Sequence, residues 1–196
     1  MSETIDAIPL PLRRSTELAG QTTSRRRFLA LTALSAPVLV WPRLLHAATR
    51  PRRLAFHHTH TGETLDVEYS EAGRYIPDAL LTIDRLLRDF RSGEVHPIDP
   101  QLLDILYALR QQTGSPARFE IISAFRSPAT NAMLARTSSG VSRNSLHLSG
   151  RAIDIRLPGV STAALRDAGM RLRAGGVGYY PDSDFVHVDT GRVRYW

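Results

Sequence analysis

Apolar positions recur in two periods along residues 53–196, and the switches between them set out the elements. "LAFHHTH" and "TLDVEY" are short alternating runs on either side of Thr61-Gly62-Glu63, which predicts a β-hairpin. After Pro77 the spacing changes. In "DALLTIDRLLRDFR" the apolar residues fall at 80, 81, 83, 86, 87 and 90, the stripe of a helix. "DPQLLDILYALRQQTG" predicts a second helix, with Asp99 as N-cap, Pro100 in the first turn and Gly114 as the stop. "ARFEIISAF" and "RAIDIRL" are strand-like, with a short helix beginning at Pro128 between them. "STAALRDAGMRLRAGG" is a further long helix, capped by Ser161 and ended by Gly175-Gly176. "VGYY" and "DFVHVD" close the chain as a hairpin joined by "PDS". Helices interleaved with hairpin strands predict an α+β domain, a small and mostly antiparallel sheet with helices packed on it.

The same alternation places the candidate chemistry. In "AIDIRL" it puts Ile153, Ile155 and Leu157 on one face and Ala152, Asp154 and Arg156 on the other. In "DFVHVD" Val186 and Val188 face one side, and Phe185, His187 and Asp189 the other. His147 sits in the loop entering the first of these strands, where Gly150 permits a sharp turn. There is no cysteine, so a metal would be held by His, Asp or Glu. His147, Asp154 and His187 are three such ligands, and they leave the fourth position of a tetrahedral zinc for a water whose pKa falls toward ~7. A hydrolytic site also needs a carboxylate to take a proton, and Asp184 and Asp189 flank His187.

The first 48 residues read as an address. "SRRRFL" carries the twin Arg25-Arg26 ahead of the apolar run "FLALTALSAPVLVW", which is shorter than the ~20 residues of a membrane span. Small residues follow at Ala47 and Ala48. This is the layout of a twin-arginine-type signal peptide, so residues 49–196 would work in the periplasm. An uncleaved leader would instead serve as an N-terminal membrane anchor. All 25 basic residues are arginine, and six of them lie before residue 48. The body has only a modest, scattered basic excess, which argues against nucleic acid as a partner.

Three stretches in one order, "SAFRSPATN", "SLHLSGRAIDIRLPGV" and "GGVGYYPDSDFVHVDTGRVRYW", closely resemble the zinc murein endopeptidases of the MepK type. That family belongs to the metallopeptidase superfamily of D-alanyl-D-alanine carboxypeptidases, VanX-type dipeptidases and the hedgehog N-terminal domain. "HTGETLDVEY" and "LLRDFRSGEVHPIDPQLLDIL" extend the resemblance over 53–196. It implies a hedgehog-like fold, Zn2+ on His147, Asp154 and His187, peptidoglycan as substrate, and a role in cell-wall remodelling. It also implies that Arg126 faces a substrate carboxylate or the polarised carbonyl, although Ala124-Phe125 stand where relatives often have Gly-Tyr. The superfamily's acid three residues before the last ligand corresponds to Asp184, the expected general base. Asp189 is the alternative base, or the residue that orients His187. Two other outcomes remain open: a carboxypeptidase trimming stem peptides, and a non-catalytic zinc-stabilised module that binds cell wall.

"FHHTH", with His57, His58 and His60, resembles a metal site by composition only, and is expected to be hairpin surface. Of Tyr179 and Tyr180, one is expected in the core and the other in a cleft. Trp196 is expected to cover the sheet.

Overall fold

A computed structural model of the protein describes residues 50–137 and 141–196. The expected leader, 1–48, lies outside the described residues. The elements run β1 (Arg52–His58), β2 (Thr64–Glu71), β3 (Arg74–Tyr75), α1 (Pro77–Leu86), α2 (Pro100–Thr113), β4 (Phe119–Ser123), α3 (Pro128–Thr137), a 3-10 turn (Leu146–Ser149), β5 (Ala152–Arg156), α4 (Thr162–Leu172), β6 (Gly176–Tyr180), β7 (Phe185–Asp189) and β8 (Arg194–Tyr195). They confirm the α+β class.

The strands form one sheet in the order β3-β2-β1-β4-β5-β7-β6-β8. Five pairings are antiparallel, but β1 runs parallel to β4 and β6 parallel to β8, so the sheet is mixed and larger than expected. Both parallel pairs follow long connections, as parallel pairing requires. The β1–β4 crossover contains α1 and α2. One sheet face carries Leu54, Phe56, Ile121, Ile153, Ile155, Val186 and Val188, and buries them against Ile83, Leu102, Leu106, Leu109 and Leu165 of the helices. At about 25 cal/mol per Å2, each fully buried aliphatic side chain contributes roughly 1.5–3 kcal/mol.

Asp99 caps α2 by accepting from Gln101 N at 3.0 Å, and Gly114 ends it at φ 64°. Ser161 caps α4 through Ala164 N at 3.2 Å. Two helix ends differ from expectation. The apolar stripe of α1 continues to Phe90, yet the helix stops at Leu86. Tertiary bonds outweigh propensity there: Leu87 O accepts from Phe125 N at 3.1 Å, and Asp89 Oδ2 accepts from Ser127 N at 3.0 Å. Helix α4 ends at Leu172, with Arg173 in the left-handed region at φ 51°, before Gly175-Gly176 is reached. Those two glycines serve a different purpose, described below.

No helix among the described residues is long and apolar enough to cross a membrane.

Candidate metal centre

The pairing of β5 with β7 builds the centre. Asp154 stands directly opposite His187, and Ala152 opposite Asp189, so all four share the face turned away from the core. Ala152 is small and leaves room beside the acid. The third residue arrives from the 3-10 turn. Ser145 Oγ accepts from His147 N at 3.3 Å, and Gly150 ends the turn at φ 65°. A side chain at Gly150 would also collide with the carbonyl of Pro97. His147, Asp154 and His187 are all buried.

Three donor atoms converge. His147 Nε2 lies 3.2 Å from His187 Nδ1 and 3.3 Å from Asp154 Oδ1, and His187 Nδ1 lies 2.8 Å from the same Oδ1. The opposite ring nitrogens are already committed. His147 Nδ1 donates to Ala124 O at 2.5 Å, and His187 Nε2 donates to Asp189 Oδ2 at 3.1 Å. Both rings therefore turn a lone pair inward, toward each other and toward a carboxylate oxygen. Three lone pairs in mutual contact repel unless a cation lies between them. Two of the separations, 3.2 and 3.3 Å, match the edges of about 3.3 Å that bonds of about 2.0–2.1 Å give a tetrahedral ion, and the third, 2.8 Å, is shorter. The residues present therefore fit zinc, and this is the one group of three candidate ligands among the described residues.

The electrostatics agree. Burial raises the Asp154 carboxyl, but His147 and His187 outweigh it and hold it far below the usual carboxylate range. Burial lowers His147. Burial also acts to lower His187, but its bonds to Asp154 and Asp189 prevail and raise it. The arrangement is set up to hold positive charge.

Supporting residues hold each ligand. Arg126 donates from Nη2 to Asp154 Oδ2, which leaves Oδ1 for the metal, and from Nε to Ser123 Oγ at 2.9 Å. Its loop is tied down by Arg126 N to His147 O at 3.1 Å and by the bond from Ser127 N to Asp89. Asp189 is fully buried and fully bonded. It accepts from His187, from Gly176 N at 3.1 Å, from Gly191 N at 2.8 Å, and from both Nη atoms of Arg194 at 3.0 and 2.7 Å. Burial raises its carboxyl, and the bonds from His187 and Arg194 bring it well below the usual range. A carboxylate so engaged orients His187 and has no lone pair left for a water. Gly175 and Gly176 make this possible: a Cβ at either would collide with Asp189, and at Gly176 also with Arg194.

Asp184 is placed elsewhere. It occupies the β6–β7 turn at φ 50°, with a side chain 66 % exposed. Its carboxylate accepts from Thr162 Oγ1 at 3.2 Å and lies 3.4 Å from Arg156 Nε. It makes no contact with the triad, so this geometry does not support its expected role as base.

An open cleft of about 690 Å3 lies over the centre, walled by Arg126, Asn144, Ser145, Tyr180, Phe185 and Trp196. Tyr180 lines it, while Tyr179 packs against the core. Trp196 both covers the sheet and forms part of the cleft wall. The "FHHTH" residues lie apart from it, but not all on the surface as expected. His58 is buried at the end of β1 with Nε2 unpartnered, and His60 stacks on Phe90 at 4.1 Å. His96, in the loop before α2, stacks on Phe125 at 4.7 Å. Sequence reasoning missed Asp89, whose partner is 38 residues away, and Arg194, which shares a stretch with Asp189 without any spacing signal that the two pair.

The family described as Peptidoglycan L,D-endopeptidase MepK matches residues 46–196. The chain belongs to the MepK family. The Peptidoglycan L,D-endopeptidase MepK of Escherichia coli (strain K12) is 40% identical over 176 residues, covering 88% of this chain and 97% of that protein. The Probable peptidoglycan L,D-endopeptidase MepK of Haemophilus influenzae is 41% identical over 177 residues, 88% of this chain and 95% of that one. A solved structure, Serratia marcescens L-Ala D-Glu endopeptidase ChiX, aligns with 39% of this chain and 62% of its own at 22% identity and a TM-score of 0.30, an overlap too small to inform the fold. MepK membership thus covers the whole region that carries the centre.

Proposed function

We propose that this protein is a zinc-dependent endopeptidase that hydrolyses an amide bond in the peptide cross-links of peptidoglycan, outside the cytoplasm. The observation that carries this reading is the convergence of His147 Nε2, Asp154 Oδ1 and His187 Nδ1 within 3.3 Å of one another, with every other polar atom of the two rings already bonded. Membership of the MepK family supports the substrate class and the L,D type of bond. The twin-arginine leader supports work in the periplasm.

His147, Asp154 and His187 would hold the zinc. When bound, it supplies a Lewis acid that polarises the amide carbonyl and activates water. The protein's own groups do the rest. Arg126 holds Asp154 in a one-oxygen grip and places a guanidinium at the cleft wall, where it offsets negative charge developing on the carbonyl oxygen. Asp189 keeps the proton on His187 Nε2 and so keeps Nδ1 a ligand. Ala124 O does the same for His147. The cleft over the centre is open to solvent, as an internal bond of a longer chain requires.

The test is incubation of residues 49–196 with purified peptidoglycan, with and without chelator, followed by mass spectrometry of the muropeptides. Loss of cross-linked dimers, blocked by chelator and by His187→Ala, is expected. Loss of terminal D-alanine alone would mean a carboxypeptidase. No change from a protein holding stoichiometric zinc would leave a binding module.

A further inference from the structure

The cleft contains an aromatic hydroxyl, that of Tyr180, that is rigidly held and has no acceptor among the described residues. The β6–β7 register sets Gly178 opposite His187 and Tyr180 opposite Phe185, so the phenol rises from the same sheet face as the metal ligands. Its ring stacks on Phe185 at 4.6 Å and 19°. Its oxygen accepts from Trp196 Nε1 at 2.8 Å. Trp196 is itself fixed. Its backbone N donates to Val177 O at 3.2 Å, and its O accepts from Tyr179 N at 2.9 Å. The Arg194 guanidinium lies 4.8 Å from the ring centroid. The indole rests against Gly178, where an added Cβ would come within 2.7 Å of it, and 5.3 Å from the His187 ring. With its N–H spent on Tyr180 and Arg194 over its ring, the indole is a brace for the phenol more than a platform for a ligand.

The phenol oxygen thus uses one lone pair as acceptor and keeps its proton. No described residue takes that proton, and Tyr180 lines the cleft. The two guanidinium groups at the cleft wall are each held by an aspartate, Arg126 by Asp154 and Arg194 by Asp189, so the phenol adds a neutral donor beside them. A preorganised neutral donor costs no desolvation of charge and is worth most where negative charge develops.

We propose that Tyr180 is a catalytic residue that donates its O–H to the carbonyl oxygen of the scissile amide as that oxygen becomes anionic. Trp196 is a positioning residue that acts through it. The phenol itself transfers no proton: it lends a hydrogen bond while water adds to the carbonyl carbon, the water's proton passes to the leaving nitrogen as the C–N bond breaks, and the hydrogen bond weakens as the carbonyl re-forms. The inference rests on the peptidase reading above.

The experiment measures kcat and KM of zinc-loaded wild type, Tyr180→Phe, Trp196→Phe and the double variant on a purified cross-linked muropeptide dimer. Zinc content and Tm are recorded for each. Tyr180→Phe is expected to lower kcat about 30- to 300-fold with KM within about threefold, the size of a lost transition-state donor. Trp196→Phe keeps a ring and loses the N–H, so a kcat loss of about 3- to 10-fold is expected. The double variant is expected to match Tyr180→Phe, because Trp196 acts only through the phenol. An unchanged kcat in Tyr180→Phe beside an active wild type would overturn the inference and leave the peptidase reading standing. So would losses that multiply in the double variant. A wild type that holds zinc and cleaves nothing would overturn both.

Discussion

Asp189 and Asp184 are two residues of one type, two and three positions from the same candidate ligand, His187, with opposite fates. Asp189 lies inside and has five donors; Asp184 lies outside and has two surface partners. Replacing Asp189 with Asn leaves one oxygen for the Gly176 and Gly191 amides and turns an NH2 toward His187, in place of the carboxylate oxygen that keeps it in its working tautomer. Zinc affinity is expected to fall about 10- to 100-fold, read by competition with a chromogenic chelator. Arg194→Met is expected to act in the same direction through Asp189, with a smaller loss. Asp184→Asn is expected to leave zinc affinity and dimer cleavage within about twofold; a loss of a hundredfold would restore Asp184 as the base. Strand alternation made Asp154 and His187 candidates by putting each on the polar face of its strand, and the resemblance of three motifs joined them to His147 as an expected ligand set. The supporting residues were not legible in the sequence. Which of two nearby carboxylates a β-turn tucks in is decided by the close approach that Gly175 and Gly176 allow, and that is visible only in three dimensions.

The elements themselves were largely readable from period and caps: Asp99, Ser161 and Gly114 begin or end helices where their chemistry requires. Of the two misjudged helix ends, that of α1 has a functional reason. The chain leaves the helix to put Asp89 under the loop that carries Arg126. Asp89→Ala would strand the N–H groups of Ser127 and Arg91, and is expected to cost about 2–3 kcal/mol in urea unfolding. Strand β1 offers a second test. Burial lowers the pKa of His58 from 6.5 to about 4, so the folded protein keeps it neutral where the unfolded chain protonates it. Above pH 6.5 it contributes nothing to the pH dependence. Stability is lost as pH falls from about 6.5 to about 4, by at most roughly 3 kcal/mol, and levels off below. His58→Gln is expected to flatten the Tm profile across that window. A wild-type profile already flat there would refute the assignment.

At the scale of the molecule, a mixed eight-stranded sheet presents one face to the helices and gives part of the other to the candidate metal centre. That β1 pairs with β4 as well as with its neighbour β2 is a long-range choice to which hairpin signals are blind, which is why the parallel pairs escaped the sequence. Zinc should tie these distant segments together, since its ligands come from the 3-10 turn, β5 and β7. Binding to the folded form alone at a hundredfold excess over Kd stabilises by about 2.7 kcal/mol, so Tm should rise by several degrees with zinc and not with magnesium. The most direct test of the whole account is diffraction above and below the zinc absorption edge from crystals grown with one equivalent of zinc. The account predicts one anomalous peak, bonded at about 2.0–2.1 Å to Nε2 of His147, Oδ1 of Asp154 and Nδ1 of His187. A peak at His58 and His60, or none between the three ligands, would contradict it.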